Sequence, residues 1–250
     1  MNHSDPVILL KKITEIFIGA YDFRRLAREA VDLIIKELKE QNVVTVGIGR
    51  LHEKDSLLYA YAYATKYRRT IDKLLPAKFS ELYIALDRTD NLCVRTVTTN
   101  QIQQSEKISD FSRGILPDTL MDKIFTIMQG RLGISFPIRV RSGKVAGVLL
   151  LILSQPKITG QQLVLFETLA DQLGLAFSNV MAFEKLMEKY QQGLKKELAN
   201  LNLEDIPAIK FTLRITPKEN KTLERLMREQ GKTKAEIIRE LLDKLDKIGP

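Results

Sequence analysis

Apolar residues along this chain recur at helical spacing, then at strand spacing, then at helical spacing again, and each change marks a new element. Ile8, Leu9, Ile13, Ile16 and Phe17 share one helical face, and past a break near Gly19 so do Leu26, Ala30, Val31, Ile34, Ile35 and Leu38. Two amphipathic helices are therefore expected to open the chain. The stretch VVTVGIGRLHEKDSLLYAYAYA follows, two apolar-rich runs around a charged turn, and predicts a β-hairpin. A second hairpin is expected in ISFPIRVRSGKVAGVLLLILS, where Ser142 and Gly143 interrupt two β-rich runs. Thr159 then reads as a helix cap, with Gln162 at the reciprocal position of a capping box. A helix pair, antiparallel strands, a mixed middle, a hairpin and a closing helix predict an α+β domain with helices packed on one face of a sheet.

The closing helix outlasts any sheet. Leu163, Phe166, Leu169, Leu173, Ala176, Val180, Phe183, Met187, Tyr190, Leu194 and Leu198 recur three or four residues apart. Phe183, Met187 and Tyr190 are expected to meet the same helix of a partner chain, with packing on the N-terminal helices as the alternative and Gly193 as a weak point. Residues 181–207 thus read as a helical extension and linker, which ends in the aperiodic NLNLEDIPAI with its Pro207.

In residues 208–250 the period changes without an intervening loop. Phe211, Leu213 and Ile215 fall on one face of a strand, and Lys210, Thr212 and Arg214 on the other. Thr216, Pro217 and Glu219 then read as cap, first helical residue and capping-box partner. Leu223, Leu226 and Met227 form the stripe of that helix, Gly231 a left-handed stop, and Thr233 with Glu236 a second capping box. Ile237, Ile238, Leu241, Leu242 and Leu245 stripe the next helix.

A strand and two helices in about forty residues bury too little surface to stand alone, and a lone strand leaves its ladder unpaired. A second copy supplies both needs. Two strands paired antiparallel about a two-fold axis place Phe211, Leu213 and Ile215 over a four-helix core that includes Leu226, Ile238 and Leu242. The segment resembles the ribbon-helix-helix DNA-binding domains, the group of the Arc and MetJ repressors. That resemblance implies that Lys210, Thr212 and Arg214 read base edges of double-stranded DNA, while Thr233 and Lys234 hold a phosphate. The chemistry suits these roles, because Arg and Lys donate to guanine edges and a helix N-terminus favours an anion.

Charge changes the picture only by agreeing with it. The formal net charge is +8, and residues 208–250 carry eleven Lys or Arg against seven Asp or Glu. Half of the basic excess lies in about a sixth of the chain, which favours a polyanionic partner. The single cysteine, Cys93, excludes an internal disulfide and a multi-thiolate zinc site. The longest apolar run, VAGVLLLIL, is too short to span a membrane and reads as a buried strand. No basic leader opens the chain, and a cytoplasmic protein without a membrane partner is expected.

The stretch SFPIRVRSGKVAGVLLLILSQPKITGQQLVLFETLADQLGLAFSNV resembles the end of GAF domains, with the apolar–Pro–apolar strand, the Gly-Lys turn, the Gly-Val-Leu strand and the Leu-Ala-Gln-type helix. The resemblance covers residues 7–180 and implies a sensor or dimerisation domain with its ligand pocket in the middle region. The residues identify no cofactor, and the ligand stays unknown. Cys93, in NLCVRTVTT, reads as a buried thiol on a strand rather than a chromophore attachment point, and His3 and His52 read as solvated rather than haem ligands. The signature of cyclic-nucleotide GAF domains is not recognisable, and SGKVAG lacks the glycine spacing of a P-loop. Free-methionine sulfoxide reductases are GAF enzymes that rely on more than one cysteine, so no catalytic residue is assigned.

Together these features predict a sequence-specific transcriptional regulator, a homodimer or dimer of dimers, with a GAF domain for assembly and ligand sensing. Two alternatives stay open: a signalling adaptor whose tail only dimerises, and a GAF-based redox enzyme acting through Cys93.

Overall fold

Asp22 starts the first described helix by accepting the Arg24 N–H at 2.9 Å. That helix, α1 (Phe23–Glu37), buries Phe23, Leu26, Ala27, Ala30, Val31 and Ile34, the face expected from the spacing. Asn42, in the left-handed conformation at φ 61°, then turns the chain into strand β1 (Val43–His52). The expected hairpins both form. Strand β1 pairs with β2 (Leu57–Thr65), and β5 (Leu132–Arg139) pairs with β6 (Val145–Leu153). Short strands β3 (Tyr83–Ala85) and β4 (Gln103–Ser105) complete a six-stranded antiparallel sheet in the order β3-β2-β1-β6-β5-β4. Pro137 lies in β5 beyond the end of β4, which pairs only with Gly133–Ser135. On that side the strand is unpaired at Pro137, where a residue without an N–H is tolerated.

The computed structural model describes residues 22–200, 217–234, 236, 237 and 240, and the chain divides into two compact units, Met1–Gly193 and Leu194–Pro250. The helix expected around Ile8–Phe17 and the strand expected at Lys210–Ile215 lie outside the described residues.

The sheet is covered on both faces, which corrects the expectation of helices on one face only. On one side Ile134, Phe136, Ile138, Leu149, Leu151 and Leu153 pack beneath α1 and the long helix α6 (Gly160–Asn200). The alternate residues Val148 and Ile152 pack on the other side against short helices from the middle of the chain. These are α2 (Arg68–Asp72), α3 (Leu92–Thr99), α4 (Ser109–Ser112) and α5 (Asp118–Met128). The reason is legible in β6, whose unbroken apolar run requires burial of both faces. Each fully buried Leu, Ile or Phe contributes about 1.5–3 kcal/mol relative to exposure. A bulge leaves Tyr61 without a β1 partner, because Ile48 pairs with Ala62 and Gly49 with Ala60. This moves Tyr61 onto the α1 side, where its ring meets Phe23 edge-on at 4.7 Å.

Cys93 lies on helix α3 and not on a strand. Asn91 Oδ1 accepts from the N–H groups of Cys93 and Val94 at 2.9 and 3.2 Å, and Asn100 at φ 56° ends the helix. The β-branched residues of VRTVTT fit because Thr96, Thr98 and Thr99 donate back to backbone carbonyls one turn earlier.

Helix α6 begins with the expected reciprocal box: Thr159 N–H donates to Gln162 Oε1 at 3.0 Å, and Gln162 N–H to Thr159 Oγ1 at 3.2 Å. Its first half is seated close to the sheet at Gly174, where a side-chain carbon would run into the carbonyl of Arg139. Among the described residues no helix is long and apolar enough to cross a membrane.

In the second unit, helix α7 (Pro217–Gln230) starts at the expected proline and buries Leu223. Gly231, at φ 66°, donates to the Met227 carbonyl at 2.9 Å and ends it, as the sequence requires. Thr233 N–H donates to Glu236 Oε2 at 2.8 Å, Glu236 N–H donates to Thr233 Oγ1 at 3.4 Å, and Ile237 beyond them is buried.

Candidate functional site

Between the sheet and the α3–α5 layer lies an apolar cavity of about 150 Å³. Its floor comes from the sheet because β1 carries Gly47 and Gly49 on this face, where larger side chains would fill the space. Its walls are supplied by Ile71, Ile84, Ile108, Phe111, Leu116 and Ile124, among others, brought from separate short elements. The polar side chains at the wall are engaged elsewhere. Thr45 Oγ1 donates to Met128 Sδ at 3.0 Å, Ser112 Oγ to the Ser109 carbonyl at 3.3 Å, and the Tyr63 hydroxyl to the Asp72 carboxylate. Burial, followed by the hydrogen bond to Asp72, raises the Tyr63 phenol above its ordinary range. Cys93 also lines the cavity, and burial pushes its thiol up to about 12, so it is neutral at physiological pH.

The outer wall is formed by Tyr63, Leu75 and Phe79, with the rings of Tyr63 and Phe79 4.5 Å apart. The same three residues line a polar groove that also holds Arg28, Arg68 and Asp72. His52 does not line the cavity, and His3 lies outside the described residues. His52, expected to be solvated, is only partly so: it closes β1 half-buried, its ring tilted against the Tyr59 ring at 4.7 Å, with Nε2 3.2 Å from the Tyr61 hydroxyl. Burial, ahead of the nearby Arg50 charge, lowers its pKa. Among the described residues no group of His, Cys, Asp or Glu is arranged to hold a metal ion.

The residues expected to bind DNA divide sharply. Thr233 and Lys234 are described, and both are exposed at the second helix start. The capping box occupies Thr233, and Lys234 Nζ donates to Asn220 Oδ1 at 2.7 Å. A phosphate bound here must compete with Glu236 for Thr233 and with Asn220 for Lys234. Leu226 is half-buried on α7, whereas Lys210, Thr212, Arg214, Phe211, Leu213, Ile215, Ile238 and Leu242 lie outside the described residues. On α6, Leu186, Met187 and Tyr190 are 63%, 40% and 62% exposed. That leaves an apolar stripe on the expected extension, with Phe183 half-buried beside it.

A connection that sequence reading missed ties the sheet to that extension. Arg50 on β1 grips Glu184 on α6 with two hydrogen bonds of 3.1 and 2.7 Å. No local motif links residues so far apart, and only the charge of Arg50 within an apolar strand hinted at a buried partner.

No protein-family model matches the sequence, and a search of curated proteins finds no match. Solved structures do resemble it. The GAF domain of a phosphoenolpyruvate-protein phosphotransferase from Acinetobacter is 18% identical with a TM-score of 0.52, over 70% of this chain and 94% of that one. Another GAF domain structure is 15% identical with a TM-score of 0.51, over 68% of this chain and 86% of that one. The free methionine-R-sulfoxide reductase of Neisseria meningitidis, in complex with its substrate, is 11% identical with a TM-score of 0.50, over 71% and 90%. The antiparallel sheet with its flanking helices is a GAF fold.

Proposed function

We propose that this protein is a GAF-type sensor that regulates transcription by binding double-stranded DNA as a cytoplasmic homodimer or dimer of dimers. The observation that carries the reading is the C-terminal turn: α7 stopped by left-handed Gly231, followed at once by the Thr233–Glu236 capping box. A helix, a tight glycine turn and a second capped helix are the parts that a ribbon-helix-helix tail needs after its strand. The basic excess of residues 208–250 supports a polyanionic partner. In this reading Lys210, Thr212 and Arg214 enter the major groove, while Lys234 and the second helix start meet the backbone. Phe211, Leu213 and Ile215 close the dimer core with Leu226, Ile238 and Leu242. The sensor acts by binding its ligand with different affinity in two states of the dimer, which biases the geometry of the reader.

No catalytic step belongs to the proposal. A thiol nucleophile needs a thiolate, and burial holds Cys93 in the protonated form. The test is selection of genomic fragments by the purified full-length protein, followed by Arg214→Ala on the selected site. Loss of about 1–3 kcal/mol confined to one base position is expected. An unchanged sequence preference overturns the assignment and leaves the tail as a dimerisation module.

A further inference from the structure

The cavity over the sheet is shaped by a strand glycine that does not need to be one. A side-chain carbon at Gly47 would make an ordinary contact with Leu150 Cβ at 3.7 Å, and its φ lies outside the left-handed region. Glycine inside a strand weakens it and marks a bulge, a tight bend or the close approach of a ligand or another backbone. The β1 bulge falls between Ile48 and Gly49, and Gly47 itself pairs regularly with Tyr63 and Leu150. Here it leaves about 150 Å³ of space bounded by aliphatic and aromatic side chains. Such a space forfeits dispersion contacts on every wall while it stays empty.

The chemistry of the walls restricts what fills it. Thr45, Ser112 and Tyr63 are already hydrogen-bonded to Met128, Ser109 and Asp72. The backbones of Gly47 and Gly49 are flanked by β2 and β6 in the ladder. A charged or strongly polar guest would lose its hydration and gain no partner in exchange. An enclosed apolar cavity of this size takes a benzene-sized molecule, and this one is partly open.

We propose that this cavity is a binding site for an uncharged, apolar small molecule, aromatic or branched aliphatic, of about six to ten non-hydrogen atoms. Nucleotides and tetrapyrroles exceed this volume, and a carboxylate seated wholly inside meets no cationic side chain among the lining residues. The outer wall of Tyr63, Leu75 and Phe79, shared with the polar groove, is the route of entry. This inference deepens the sensor reading and rests on it for the consequence of binding, but not for binding itself.

The test uses indole as the probe. The chain contains no tryptophan, so indole emission excited beyond the tyrosine band is read without protein background. Titrating full-length protein into indole is expected to give a saturable blue shift that benzene reverses by competition. Gly47→Val and Ala60→Leu each place methyl groups inside the cavity and are expected to raise the half-saturating concentration at least about tenfold. Circular dichroism identifies which of the two variants keeps the native fold. The site is refuted if no saturable shift appears, if indole carboxylate binds as tightly as indole, or if a folded filled variant binds like the wild type. A protein that selects DNA but shifts no indole loses this site and keeps its proposed function. One that binds indole but no DNA keeps the site and loses that function.

Discussion

Removing the Arg50–Glu184 contact tests whether the long helix is held to the sheet by charge as well as by packing. Arg50 donates from Nη1 and Nη2 to the two Glu184 oxygens, and its Cζ lies 4.3 Å from the centre of the Phe23 ring. The side chains are 17% and 39% exposed, so the pair sits between two regimes. A solvated pair contributes about 0–1 kcal/mol. Breaking a fully buried one costs about 3–5 kcal/mol. The two-pronged geometry favours the upper range, and water at Glu184 pulls it down, which places the coupling at about 1–2 kcal/mol. Arg50→Met keeps the aliphatic stem over Phe23 but also removes a cation–π contact of about 0.5–1 kcal/mol. It should therefore cost more than Glu184→Gln. Both single variants and the double variant are to be unfolded in urea, followed by far-ultraviolet circular dichroism. A coupling energy below about 0.3 kcal/mol, within the scatter of independent sites, would refute the reasoning.

Three further outcomes follow from the same contacts. Gly174→Ala should destabilise the protein by about 1–3 kcal/mol or more in urea unfolding, because its methyl meets the Arg139 backbone, which cannot swing aside; a neutral result would mean that the helix seat is loose. Cys93, with its thiol pushed up to about 12, should resist a thiol reagent in the native state and react freely in urea. Because the folded pKa lies above the ordinary 9.0, the stability that this thiol contributes is complete below pH 9 and is lost as the pH rises through 12; rapid native reactivity at pH 8 would contradict it. Lys234→Ala should weaken binding to all DNA sequences alike and lower the salt slope by about one for each protomer on the DNA, whereas a base-selective loss would remove Lys234 from the backbone contacts.

The elements legible in the sequence are those set by local rules. Ser142-Gly143 and the HEKDS turn are hairpin signals, Thr159 with Gln162 is a reciprocal cap, and Gly231 is a left-handed stop; the structure carries all of them. The middle was less legible because its helices are short: α2 and α4 span five and four residues, too few for a period to emerge. In α3 the β-branched run suggested a strand, although Asn91 before it and Asn100 after it were the cap and stop of a helix. The continuous run VAGVLLLIL already required cover on both faces of the sheet, and the single-layer expectation overlooked that requirement. The cavity was not readable, since its walls come from residues spread from Thr45 to Ile152. Only Cys93 among them had drawn notice, and for a reason of reactivity rather than of shape.

The account turns on whether the tail reads DNA, and one comparison tests that most directly. Full-length wild type and Arg214→Ala are to be titrated with a selected fragment and with single-base variants of it, at two salt concentrations. The expected result is salt-sensitive binding by the wild type, with a discrimination of about 1–3 kcal/mol at one base position that Arg214→Ala erases. Binding that is absent in the wild type, or sequence preference untouched by the substitution, would contradict the account.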